Sequence, residues 1–246
     1  MHVFLSPHLD DAVLSCGGMI HQLVRAGHAV QVITVFAGDP APGPLTPFAR
    51  QLHNRWGACY ADRRREDLES LSGIGAQAVH WPYPEAAYRR QSGTGAAMYD
   101  SEESIFGEVH ASDAEVMASI ASRLQSIDSQ AQWLVPLAAG HHVDHQIVRA
   151  AAESARRDLV YYEDYPYAEA PEKLAEALGR GPWTPDWIVL SDDALRAKVA
   201  AIRAHRSQLS TFFRDPNEME QRLRAYAGRV GEQGGAAERL WRSGPG

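Results

Sequence analysis

The first three segments of the chain leave few folds open. His2 to Ser6 is a short apolar run that stops at Pro7, which lacks the N–H a strand ladder needs. From Asp11 to about Ala26, positions Val13, Leu14, Gly17, Ile20, Leu23 and Val24 recur at spacings of three and four, and Gly27 follows as a C-cap. Ala29 to Ala37 is a second run rich in Val and Ile. Strand, helix and strand in that order make a βαβ unit, whose crossover joins parallel strands.

The alternation continues. Phe48 to Gly73 predicts a helix, Ala78 to Trp81 a strand, Ala114 to Ser126 a helix, Trp133 to Leu137 a strand, and Asp144 to Arg157 an alanine-rich helix. Leu159 to Tyr162 and Trp187 to Leu190 supply further strands. Asp192 to Phe212 predicts a long helix started by the Ser191-Asp192-Asp193 cluster. The expected architecture is α/β: three layers, α/β/α, around a mostly parallel Rossmann-like sheet, with the active site at the C-terminal ends of the strands. A length of 246 residues suits a single domain over 1–246, in which the glycine-rich tail, 229–246, is expected to fray. Two irregular stretches are expected to border a pocket: Asp39 to Pro47, with four prolines, and the Gly/Ser-rich, acidic Gln91 to Asp113.

Charge narrows the partners. A net charge of -7, from 31 acidic and 24 basic side chains without a Lys/Arg cluster at either end, gives no footprint for nucleic acid or an anionic membrane. No apolar run approaches the roughly 20 residues of a membrane helix, and no basic leader precedes the first strand, so a soluble cytoplasmic protein is expected. Cys16 and Cys59 are too few for a disulfide framework and are expected to be reduced. A small molecule is the expected partner, and assembly into a homo-oligomer stays open.

Chemistry concentrates in two loops. Pro7-His8-Leu9-Asp10-Asp11 lies where the first strand hands over to the first helix, and His141-His142-Val143-Asp144-His145 lies in the same relation to the strand ending at Leu137. In open parallel sheets, ligands bind outside such strand ends. Zinc takes imidazole nitrogen and carboxylate oxygen, and a catalytic site keeps one position open beyond three protein ligands. Each loop alone has a plainer reading: an Asp pair at a helix start is often an N-cap, and a histidine-rich turn is often exposed. Two such loops at matching strand ends point together to a metal site.

The pair PHLDD and HVDH resembles the PIG-L/LmbE-like family of zinc-dependent N-acetylglucosaminyl deacetylases, whose first motif is His-Pro-Asp-Asp. Arg63-Arg64-Arg65-Glu66-Asp67, the run Tyr161 to Tyr167, and His205-Arg206-Ser207-Gln208 extend the resemblance over most of the chain. Leu9 and Val143 stand where the family has proline, and neither change removes a polar group. The resemblance implies that His8, Asp11 and His145 hold one Zn2+ per chain, or another divalent ion such as Fe2+. It makes Asp10 the general base and a cationic His142 the oxyanion partner, with an acetylated amino sugar or glycoconjugate as substrate. A carboxylate beside imidazole fixes its tautomer, so Asp144 is expected to orient a histidine.

Arg63 matches a family position that reaches toward substrate, and its helical neighbours Glu66 and Asp67 fit a surface ion pair equally well. Glu163 and Asp164 are rim candidates for sugar hydroxyls or simply an exposed acidic loop. Trp81, Tyr83, Tyr88, Tyr165 and Tyr167 are open between core packing and sugar stacking. His21, His28, His53, His80, His110 and His205 are taken as structural or exposed. A metal-dependent phosphoesterase and a non-enzymatic carbohydrate-binding protein are the alternative functions.

Overall fold

The computed structural model describes residues 1–127, 130–231 and 234–244. It opens as the sequence predicts: β1 (His2–Ser6), α1 (Asp11–Arg25) and β2 (Val30–Thr34), with β1 and β2 parallel. The helix expected over 48–73 is two helices, α2 (Pro47–Trp56) and α3 (Tyr60–Gly73). Gly57 separates them: at φ +60 it takes the left-handed conformation, and its N–H closes the end of α2 on the His53 carbonyl. Then follow β3 (Gln77–His80), α4 (Glu102–Ile105), α5 (Ala114–Gln125), β4 (Gln132–Pro136), α6 (Val143–Ala155), β5 (Val160–Tyr162) and α7 (Pro171–Leu178). The chain ends with β6 (Trp183–Val189), α8 (Asp192–Ala204), α9 (Leu209–Phe212), α10 (Pro216–Gly231) and β7 (Ala237–Ser243).

Three expectations are corrected here. The long helix over 192–212 breaks after Ala204, because the buried Glu66 carboxylate takes the Ser207 N–H and hydroxyl that a continuing helix would turn elsewhere. The strand expected at Trp187 begins at Trp183 and contains Pro185, which an edge strand tolerates. The tail expected to fray carries β7, in which Ala237 and Leu240 are buried and Glu238 pairs with Lys198 at 2.7 Å. Long-range pairing there overrides a glycine-rich local composition.

The sheet order is β3-β2-β1-β4-β5-β7-β6, with β7 inserted antiparallel between β5 and the edge strand β6. Alternate residues of the central strands bury opposite ways. Phe4, Val32, Leu134 and Tyr162 pack with Ile20, Leu71, Ile202 and Leu223, from the helices on one face. Val3, Leu5, Ile33, Val135 and Tyr161 pack with Ile120, Ile147 and Val148, from α5 and α6 on the other. Complete burial of one such aliphatic or aromatic side chain contributes about 1.5–3 kcal/mol. Among the described residues, no helix is long and apolar enough to cross a membrane.

Strand order reverses between β1 and β4, which pair in parallel. That is the topological switch point, where diverging loops leave a crevice beyond the strand ends. Both motif loops leave from it. Leu9, Phe48, Leu52, Tyr60, Tyr88, Ile105 and Val143 form a separate apolar cluster that holds α2, α4 and the segment after β3 over the crevice.

Candidate active site

Asp10 occupies the N-cap position of α1, yet its side chain makes no capping bond. Ser6 does that work: its Oγ accepts the Ala12 N–H at 3.0 Å and donates to the His8 carbonyl at 2.7 Å. The capping reading of the Asp pair therefore fails, and both carboxylates are left for the cleft. Asp11 turns back, with Oδ2 accepting the His8 N–H at 2.8 Å, 3.1 Å from His8 Nδ1 and 3.2 Å from His145 Nε2.

The second loop brings His145 to that point through a strained turn. Ala138, Gly140 and His141 all have positive φ, and a Cβ at Gly140 would meet the Tyr167 ring at 2.6 Å. His142 then caps α6, accepting the Asp144 N–H on Nδ1 at 3.2 Å. Donor atoms of His8, Asp11 and His145, expected from the sequence to converge, lie within 4.8 Å of one another and could hold a metal ion. His8, His142 and Asp144 satisfy the same distance limit. Asp144, however, is already committed: Oδ2 meets His8 Nε2 at 2.9 Å and the Ala86 N–H at 3.0 Å, while Oδ1 meets Arg89 Nη1 at 2.5 Å. The first set is the better cradle.

His8 and His145 are each backed by a buried carboxylate. Asp144 holds His8 Nε2, and Asp164 holds His145 Nδ1 at 2.6 Å. Such partners fix the tautomer and turn the other nitrogen toward a cation. His145 Nε2, fully buried and 3.2 Å from Asp11 Oδ2, makes no well-formed hydrogen bond among the described residues, so its lone pair is one that a cation could use. Burial lowers the His145 imidazole, but Asp11 and Asp164 overcome it and lift it to about 9, so positive charge is favoured there. Burial, then Asp11, push the Asp10 carboxyl up to about 7, and no hydrogen bond to it is made among the described residues.

His142 departs from expectation. Burial first, then the neighbouring His8, hold it well below the usual histidine range, so it is neutral rather than cationic. With Nδ1 accepting a backbone N–H, its proton sits on Nε2, and the ring lines the cleft. It is placed as a neutral donor.

The cleft holds about 240 Å³, slightly under the range of ordinary ligand pockets. Arg63 is inside it, not on the surface: it is 2% exposed, pairs with Glu85 at 2.8 Å, and stacks over Trp56 at 4.3 Å and Tyr60 at 4.7 Å. Tyr167 lines the wall, whereas Trp81, Tyr88 and Tyr165 are buried outside it. Of the two loops expected at the rim, Gln91 to Asp113 contributes Glu102, Ile105 and Phe106; Asp39 to Pro47 lines a separate crevice, and α2 takes its place with Leu52, Arg55 and Trp56.

The rim assignments of Glu163 and Asp164 are both corrected. Glu163 faces away from the cleft, bonded to Tyr226, Arg239 and Trp241, and Asp164 lies beneath it as the partner of His145. Sequence reasoning missed Glu85 and Arg89. Arg89 joins Asp144 to the buried pair Asp113 and Tyr99, and nothing in the local sequence distinguishes it from its neighbour Arg90.

A family model described as GlcNAc-PI de-N-acetylase, PIG-L, matches residues 3–156. The chain is 29% identical over 243 residues to a 2'-N-acetylparomamine deacetylase of Niallia circulans, covering 88% of this chain and 83% of that protein. A zinc-inhibited form of teicoplanin deacetylase superposes with a TM-score of 0.86 at 28% identity over 98% of each chain. A40926 pseudoaglycone deacetylase does so with a TM-score of 0.78 at 28% identity, covering 98% of this chain and 96% of that one.

Proposed function

The chain belongs to the PIG-L (GlcNAc-PI de-N-acetylase) family and is an N-deacetylase, and from that premise we propose that it hydrolyses the acetamide of an N-acetylglucosaminyl-type amino sugar or conjugate beside one divalent ion held by His8, Asp11 and His145. The observation that carries this reading is the convergence of those three donors next to an Asp10 carboxylate that has no hydrogen-bond donor among the described residues, in a cleft of about 240 Å³. Two imidazoles and one carboxylate suit Zn2+ and also Fe2+. The two candidate donor groups share His8, which supports one ion rather than the pair a two-metal phosphoesterase uses.

A bound divalent ion supplies Lewis acidity toward the amide carbonyl and lowers the pKa of an adjacent water. Asp10 takes the proton of the attacking water and returns it to the leaving amine nitrogen, work that suits a carboxyl poised near neutrality. His142 donates its Nε2–H to the oxyanion as the carbonyl becomes tetrahedral, and a neutral donor fixed in place needs no reorganisation. Arg63, held by Glu85 and lying against the Trp56 and Tyr60 rings, orients the substrate against Asp10.

Acetate release by metal-stripped protein reloaded with Zn2+ or Fe2+, over N-acetylglucosamine conjugates with different aglycones, tests the proposal. About one ion per chain and release from at least one conjugate are expected. Silence across the panel with either ion overturns it.

A further inference from the structure

The turn between α8 and α9 carries His205-Arg206-Ser207-Gln208, whose last two side chains have no part in the steps above. Both are buried, and Gln208 lines the cleft with Asp10 and Arg63. Glu66 lies on the same buried face of α3 as Arg63. It accepts the Ser207 N–H at 3.2 Å and the Ser207 hydroxyl at 2.7 Å. A carboxylate has no hydrogen to give in return, so the hydroxyl proton is committed to it. Ser207 Oγ is then left to accept from the Gln208 amide, 2.9 Å away. The two ends of a glutamine amide are nearly alike in shape, but this chain of bonds settles which is which. Nε2 faces Ser207, and Oε1 has no protein donor among the described residues.

We infer that Gln208 is a substrate-contacting residue whose Oε1 accepts a hydrogen bond from the hydroxyl on the sugar carbon next to the acetamide-bearing carbon, with Ser207 and Glu66 as positioning residues that fix the direction of its amide. The inference rests on the deacetylase reading above. Gln208 and Asp10 also bound one small recess beside the cleft, so they stand close along the same wall. Asp10 serves the attacking water and then the amine nitrogen. An acceptor beside it meets the adjacent substituent, and on a glycoside that substituent is the free 3-hydroxyl.

The test measures kcat and KM for metal-loaded wild type, Gln208→Leu and Glu66→Gln on phenyl N-acetylglucosaminide and its 3-deoxy counterpart. Wild type is expected to lose roughly 10-fold in kcat/KM on the 3-deoxy compound, the worth of one neutral hydrogen bond. Gln208→Leu is expected to lose a similar factor on the parent, mainly through KM, with no further loss on the 3-deoxy compound. Glu66→Gln should raise KM on the parent by roughly 3-fold and leave it unmoved on the 3-deoxy compound, which a general packing defect would not do. Equal penalties on both substrates, or none, for Gln208→Leu overturn the inference while the deacetylase reading stands. A wild type silent on the parent overturns the inference for such glycosides, while the deacetylase reading falls only with silence across the whole conjugate panel.

Discussion

Glu163 and Asp164 are adjacent in the chain and belong to two buried charged clusters that look alike in composition and differ in completeness. Behind the sheet end, Glu163 accepts from Tyr226 Oη at 2.6 Å, Arg239 Nε at 2.5 Å and Trp241 Nε1 at 2.8 Å. Nearby, Glu238 accepts from the Gly18 and Met19 N–H groups and from Lys198, whose ammonium also reaches the Ser15 carbonyl. At the strand ends, by contrast, no hydrogen bond reaches the Asp10 carboxylate among the described residues, and one oxygen of Asp11 lies between His8 Nδ1 and His145 Nε2 without a well-formed hydrogen bond to the latter. Buried charge is costly unless fully hydrogen-bonded. A complete set of bonds ties β7 to α1, whereas the incomplete one faces the cleft.

The largest expected effects fall on the incomplete cluster. Asp11→Ala leaves two imidazoles and should abolish stoichiometric metal binding together with acetate release, read by metal analysis of the dialysed protein. Asp10→Asn should keep its metal and melting temperature while turnover falls by roughly 10²- to 10⁴-fold, the range of a lost general base. An Asp10→Asn protein that loses its metal would reverse the roles given to the two carboxylates.

The complete cluster should respond in stability instead. Glu238→Ala strands Lys198 as a buried unpaired charge, and urea unfolding should show a loss of about 3–5 kcal/mol, with metal content per folded chain unchanged. Loss of metal at unchanged stability would erase the distinction between the clusters.

The finest contrast is between the two neighbours. Asp164→Asn should weaken metal affinity by roughly 10- to 100-fold, because it acts on His145 from behind. Glu163→Gln should leave metal affinity alone and reduce stability by about 1–3 kcal/mol, as one of three donors loses its acceptor. Competition with a metal-binding dye measures the first effect and thermal unfolding the second; matching profiles for the two variants would merge the clusters into one.

Much of this was legible in the chain, for local reasons. The β1, α1 and β2 segments announce themselves through periodicity, PHLDD and HVDH each sit at a strand end, and the family resemblance singles out His8, Asp11 and His145 within them, whose donor atoms the structure brings together. Glu163 and Asp164 were legible as acidic residues after a strand, but not the opposite directions they face, which depend on Arg239 and His145 arriving from elsewhere in the chain. The neutral state of His142 was illegible too, because burial and the proximity of His8 set it and neither is a property of its own loop.

By itself, then, the sequence determined a mostly parallel α/β sheet and two His/Asp loops at matching strand ends, since strand and helix periods and a proline stop act over a few residues each, while the choice of His8, Asp11 and His145 within those loops came from the family resemblance. Only the tertiary structure decided that β1 and β4 lie side by side at the switch point, that the tail returns as β7 within the sheet, and which buried carboxylates are satisfied. Those outcomes depend on which distant groups meet, and a hydrogen bond across some 140 residues, such as Glu66 to Ser207, leaves no pattern in either segment alone.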